Sequence, residues 1–252
     1  MSNSPRVLVL DVETTPLQVF TWGIWQQNIG INQIIEPTRV FCWAAKWSGE
    51  KKVSFMSEHH DGYVEMVEGM HGLLAEADVV VHFNGKSFDM PHLRREFLQN
   101  GLTPSKPVIE VDLMKEIKRL FRFPSNKLDY LSQALEVGAK VKHEGFDLWK
   151  KCLAGDDAAW SRMRKYNKGD VVVTDDLYVH VKPWIRTPHA GLFRTDGAFV
   201  CPSCSSQNVV KQGTKVLTSG TYQQWQCRDC GSWSRDSRLS EDSIRVSNRS
   251  TE

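Results

Sequence analysis

Four carboxylates and a phenol are spaced along this chain in a way that suits metal-assisted hydrolysis of a phosphodiester. Asp11 and Glu13 come directly after a short apolar run, residues 7–10. Residues two apart on an extended chain project to the same side, so both acids can reach one point at a strand end. Asp89 follows a second run of the same kind, 79–83. Asp170 comes four residues after Tyr166, a spacing that sets phenol and carboxylate side by side on one helical face. Two-metal hydrolysis needs such convergence, because ions about 4 Å apart must clamp both the attacking and the leaving oxygen. Mg²⁺ takes hard oxygen ligands of this type. Singly, each feature has a plainer reading: a solvated strand edge for Asp11 and Glu13, an N-cap for Phe88-Asp89, surface neighbours for Tyr166 and Asp170. Their joint occurrence in this order carries the argument.

A second group of residues suits a different metal. Cys201-Pro202-Ser203-Cys204 and Cys227-Arg228-Asp229-Cys230 are two CxxC pairs, while Cys42 and Cys152 stand alone. In a chain that opens without the apolar core of a secretory signal, paired CxxC motifs favour metal over disulfides. Four thiolates close a tetrahedron around Zn²⁺ and leave no open position, so this zinc would be structural. Between the pairs, 209–218 and 221–226 can form a hairpin around Ser219-Gly220, and Gly231 fits a tight knuckle. Arg228, Lys211, Lys215, Trp225 and Trp233 give the module a basic and aromatic surface that suits nucleic acid or a protein partner.

These groups need a scaffold that brings distant strand ends together. Runs 7–10, 40–47, 52–56, 79–83 and 108–111 read as short strands, with a turn at Ser48-Gly49. Apolar residues at helical spacing mark 63–77, a helix opened by Pro91, 113–121, 127–135 and a long tract at 158–181. Gly69 and Gly72 weaken the first of these. On 113–121, Leu113, Ile117, Leu120 and Phe121 form an apolar stripe and Lys115, Lys118, Arg119 and Arg122 a cationic one, which either faces water or contacts a polyanion. Trp22 and Trp25 either join a core or stack unpaired bases. His92 and His143 read as structural or surface residues. Strands alternating with helices imply an α/β sheet with flanking helices.

At this point the motifs resemble a known family. Val-Leu-Asp-Val-Glu-Thr-Thr at 9–15, His-Phe-Asn-Gly-Lys-Ser-Phe-Asp at 82–89 and Tyr-Asn-Lys-Gly-Asp at 166–170 are similar, in order and spacing, to the three motifs of the DEDD exonucleases. Tyr166 in the third resembles the DEDDy branch, which includes proofreading domains of family B polymerases. The resemblance covers roughly residues 5–184 and implies a ribonuclease-H-like mixed sheet flanked by helices. It implies that Asp11 is shared by two Mg²⁺ or Mn²⁺ ions, with Glu13 and Asp170 on the first and Asp89 on the second. Tyr166 would orient or help deprotonate the attacking water, and Asn84 would touch the substrate strand. The implied activity is 3'-5' exonucleolysis releasing nucleoside 5'-monophosphates, with DNA bearing a free 3' end as first choice of substrate.

Length and composition bound these readings. At 252 residues, 40% hydrophobic and 25% charged, the chain has room for one sizeable core and one small module. The expected division is a nuclease domain at 1–184, a linker at 185–198 bracketed by Pro183 and Pro188, a small β zinc ribbon at 199–235 and a disordered tail at 236–252. No stretch approaches the ~18 apolar residues of a membrane span, and a cytoplasmic protein is expected. Net charge is only +2, so bulk charge says little about nucleic acid. RNA as substrate, a non-catalytic adaptor that presents the ribbon, and an endonuclease of the same broad fold are the alternatives; the four acids together with Tyr166 disfavour the last two.

Overall fold

The computed structural model describes residues 5–138, 144–185 and 199–236. His143, most of the expected linker and nearly all of the expected tail lie outside the described residues. Arg6–Tyr178 form one compact unit, and a second contains the chain from Val179 onward.

The first unit is built on strands β1 (Val7–Thr14), β2 (Gln18–Val19), β3 (Ile34–Glu36), β4 (Val40–Trp47), β5 (Val53–Ser57), β6 (Val79–His82) and β7 (Ile109–Asp112). Five of them form one sheet in the order β5-β4-β1-β6-β7, with β2 and β3 pairing separately. β4 runs antiparallel to both β1 and β5, whereas β6 runs parallel to both β1 and β7. The helices are α1 (Tyr63–Glu76), α2 (Asp89–Gln99), α3 (Leu113–Leu120), α4 (Leu128–Ala134), α5 (Phe146–Leu153) and α6 (Asp157–Val181), the last of which ends in the second unit. The mixed sheet with flanking helices is the architecture the motifs imply.

Strand alternation explains how β1 serves two faces. Leu8, Leu10 and Val12 pack into a core with Met66, Val67 and Met70 of α1 and Met90, Leu93 and Phe97 of α2. Fully burying one such side chain contributes about 1.5–3 kcal/mol. Val9, Asp11 and Glu13 alternate with them and so point to the opposite face. A second core joins Phe41 and Cys42 of β4 to Leu148 and Cys152 of α5 and to Trp160, Met163 and Tyr166 of α6. α6 is also tied to the sheet by the Lys46–Asp175 ion pair, and Ser48 Oγ donates to Asp175 Oδ1 at 2.6 Å.

Two differences from the sequence reading have physical causes. β1 continues to Thr14 instead of ending at residue 10, because its antiparallel ladder with β4 runs on through Asp11↔Ala44 and Glu13↔Cys42. Helix α1 tolerates Gly69 because a Cβ there would sit 2.6 Å from Met56 Sδ and 3.2 Å from the Trp43 ring. The close approach to β4 and β5 offsets the roughly 1 kcal/mol of lost propensity.

The second unit contains β8 (Val209–Leu217), β9 (Gly220–Cys227) and β10 (Trp233–Arg235), an antiparallel sheet in the order β10-β9-β8. None of the described helices is long and apolar enough to cross a membrane.

Candidate active site

The acids meet where the sheet parts. β1 pairs with β6 only from Val7 to Val9, so beyond that point the two parallel neighbours separate while β1 stays paired with β4. Such a switch point at strand ends is where α/β sheets open a crevice. A cleft of about 440 Å³ occupies it, lined by Asp11, Glu13, Asn84, Asp89, Tyr166 and Asp170 among others. Carboxylate oxygens of Asp11, Glu13 and Asp170 lie within 4.8 Å of one another. The sheet supplies two of these acids and α6 the third. Their donors are hard oxygens gathered from three negative groups, which fits Mg²⁺ or Mn²⁺.

Asp89 opens α2 on the other side of the crevice. Its Oδ1 accepts the Val12 backbone N–H at 2.9 Å, a donor left available where β1 parts from β6. Burial pushes this carboxyl up to about 7, against hydrogen bonds that pull it down. Because the folded value lies above the ordinary one of 3.8, the protonated acid favours folding fully only below about pH 4; this contribution is lost as pH rises through about 7. In EDTA, the parent is therefore expected to lose stability between about pH 4 and pH 7 relative to Asp89→Asn, which keeps an acceptor for Val12 and cannot ionise. The gap should reach a few kcal/mol, several degrees in melting temperature. Coincident melting curves for the two proteins at the higher pH would refute an uncompensated buried carboxylate.

Burial, followed by the negative charges of Glu13, Asp170 and Asp11 and a hydrogen bond with Asp170, holds the Tyr166 phenol far above its usual range. It is protonated at any working pH and acts as a hydrogen-bond donor. Its ring meets Trp149 of α5 edge-on at 6.1 Å, which fixes its direction.

Residues that the sequence reading leaves unassigned also shape the site. Asn167, fully buried between Tyr166 and Asp170 on α6, donates from Nδ2 to Asp11 Oδ2 at 2.6 Å and to Asp11 O at 3.3 Å. Asp112, at the end of β7, caps α3 through Lys115 N and also accepts from Asn84 N at 3.1 Å and Lys86 N at 3.3 Å. It thereby holds Asn84 in a left-handed conformation, φ 66°. Gly85 completes that loop because a Cβ there would lie 2.4 Å from the His82 ring. Lys127 also lines the cleft. A strand-end acid before a helix is the signal that points to Asp112; no sequence pattern marks the roles of the others.

The remaining expected contacts lie elsewhere. Lys115 Nζ donates to Ser87 Oγ at 3.0 Å and Arg119 pairs with Glu116 at 2.6 Å, and neither is among the described residues lining the cleft. Trp22 and Trp25 are almost wholly exposed on the excursion between β1 and β4 and do not line it either.

In the second unit, the four cysteines converge. Cys201 Sγ and Cys230 Sγ are 3.7 Å apart, and Cys204 Sγ and Cys227 Sγ 3.6 Å apart. A tetrahedron with Zn–S arms of about 2.3 Å has edges of about 3.8 Å, so the sulfurs fit Zn²⁺. The two knuckles repeat one geometry. Ser205 N donates to Cys201 O and Gly231 N to Cys227 O, and Ser205 and Gly231 share a positive φ of 65° and 75°.

Comparison with known proteins agrees with this architecture. A comparison with curated proteins finds no match. Among solved structures, the chain is similar to the family B DNA polymerase from the hyperthermophilic archaeon Pyrobaculum calidifontis, with a TM-score of 0.55 and 18% identity. The likeness covers 71% of this chain but only 25% of the polymerase, and at that identity it speaks for the fold alone. The family model of the RNase_H superfamily matches residues 8–182, the stretch that holds the sheet, the crevice and all four acids, and the chain belongs to that superfamily.

Proposed function

We propose that this protein is a divalent-metal-dependent nuclease that shortens a nucleic-acid strand from its 3' end and releases nucleoside 5'-monophosphates. The observation that carries the reading is the meeting of Asp11, Glu13 and Asp170 within 4.8 Å, in a cleft that also holds Asp89 and Tyr166. Glu13 and Asp170 would hold one Mg²⁺ or Mn²⁺ ion, Asp89 a second, and Asp11 both. When bound, the ions polarise the scissile phosphodiester and make the attacking water more acidic. The chain's own residues do the positioning. Tyr166, a fixed donor, orients the water through its phenol oxygen. Asn167 keeps the Asp11 carboxylate aimed into the crevice, and Asn84 and Lys127 hold the strand's sugar and phosphate. Lys115 and Arg119 guide the more distant phosphates, a weaker and salt-sensitive contribution.

DNA is the first choice of substrate, on the resemblance to polymerase proofreading domains. With 5'-labelled DNA and Mn²⁺, products are expected to form a ladder descending one nucleotide at a time, with no cleavage in EDTA. RNA tested in parallel decides between the polymers. Cutting of a closed circle, or full activity on a strand with a blocked 3' end, would overturn the proposed polarity.

A further inference from the structure

Between β1 and β4 the chain makes an excursion whose surface is inverted relative to an ordinary loop. Several of its polar groups are paired within the excursion. Phe20 N donates to Gln33 O at 2.9 Å, Gln33 Nε2 donates to Phe20 O at 2.9 Å, and Gln33 Oε1 accepts from Gly30 N at 2.8 Å. Gln27 Nε2 donates to Trp25 O at 2.7 Å and Thr21 Oγ1 to Gly23 O at 2.8 Å. Its apolar side chains point outward instead: Phe20, Trp22, Ile24, Trp25 and Ile31 are between 75% and 101% exposed. Soluble monomers rarely leave so many large apolar side chains of one excursion uncovered.

We infer that this arm is a self-association surface, covered by the same arm of a second copy of the chain. Three observations select that occupant. Residues 16–35 contain no Asp, Glu, Lys or Arg. A strand of nucleic acid would leave its phosphates without a cation on the arm, whereas stacking platforms pair aromatics with a positive groove. An uncharged patch does not repel its own copy, so two can meet across a twofold axis with each side chain facing its equivalent region. The exposed amides Gln26, Asn28 and Asn32 supply a neutral rim whose donors and acceptors are mutually compatible. Finally, the area suffices. Exposed aromatics of this size offer about 150–250 Å² each, so three of them and two isoleucines present roughly 800–1,000 Å². A stable interface needs about 800 Å² from each partner.

The association is independent of catalysis at the carboxylate crevice, so neither result decides the other. Sedimentation velocity on the full chain at about 50 µM, in low and in high salt, tests it. The expected result is a dimer whose dissociation constant changes less than about threefold with salt, because no charged pair crosses the arm. The triple variant Phe20→Ser/Trp22→Ser/Trp25→Ser should raise that constant by about 100-fold or more. At a concentration well below the parent's dissociation constant its melting temperature should match the parent's, since these exposed side chains contribute little to a core, whereas at higher concentration only the parent gains stability from association. A parent that sediments as a monomer at both salts overturns the inference whatever the variant does. So does a triple variant that folds and remains a dimer. Binding of a labelled single-stranded oligonucleotide that the variant loses, with the parent monomeric, would overturn it in favour of nucleic acid as occupant.

Discussion

Asp11→Asn is expected to lower metal-dependent cleavage by about 10³-fold or more while the protein stays folded. In the proposed two-metal site Asp11 serves both positions, so losing its charge would weaken both at once. Asparagine preserves the local structure. It keeps an oxygen for the Asn167 Nδ2 donor now bonded to Asp11 Oδ2 at 2.6 Å, and the backbone contact to Asp11 O does not change. Removing one of three negative groups within 4.8 Å also relieves repulsion, so the metal-free variant should melt at or above the parent's temperature. Mn²⁺ should then stabilise the parent more than the variant, because only a site that binds the ion gains by linkage. Measured together, single-turnover rates and melting curves with and without Mn²⁺ separate loss of metal from loss of fold. A variant that cuts as well as the parent removes Asp11 from the chemistry.

The parts of this site that are legible in the sequence are those set by local periodicity. Asp11 and Glu13 share a side because strand residues repeat every two positions, and Tyr166 and Asp170 share one because a helix brings every fourth residue round. Short apolar runs likewise mark the strands, and the sheet they form puts β1 at its centre. What remains hidden depends on partners far along the chain. Asn167 is one more polar residue in a helix until α6 lies across β1, 156 residues away, and its amide meets Asp11. Asp112 acquires its second task only because β6 and β7 run side by side, with His82↔Asp112 in register, so the loop after β6 falls within its reach. Helix α5 has only eight residues, Phe146–Leu153, too short a stretch for apolar spacing to distinguish it from a loop. Trp22 and Trp25 are ambiguous for the opposite reason. Composition marks them as apolar, but only the fold reveals that they face solvent instead of joining either core.

Removing zinc is expected to unfold residues 199–236 while leaving the α/β unit folded. Among the described residues of that segment, only Cys201, Tyr222 and Cys227 are buried apolar side chains, and two of these belong to the four-cysteine group that could hold the metal. Burying so few groups yields a few kcal/mol, whereas ordering each residue costs about 1–2 kcal/mol. The hairpin and the two knuckles cannot close that gap alone; a structural Zn²⁺ contributes about 10–16 kcal/mol and does so only in the folded state. Cys227→Ser is the test, because Cys227 is 2% exposed and its loss removes a ligand from the interior of the site. Metal analysis should find one zinc per chain in the parent and none in the variant. Proteolysis should then cut the variant within 199–236 and spare Arg6–Tyr178, whose two cores share no residue with the ribbon. Calorimetry should show the main transition at an unchanged temperature. A variant that keeps its ribbon protected without zinc would show that the four cysteines are not what folds it, and a main transition that falls by several degrees would show that the two units are not independent.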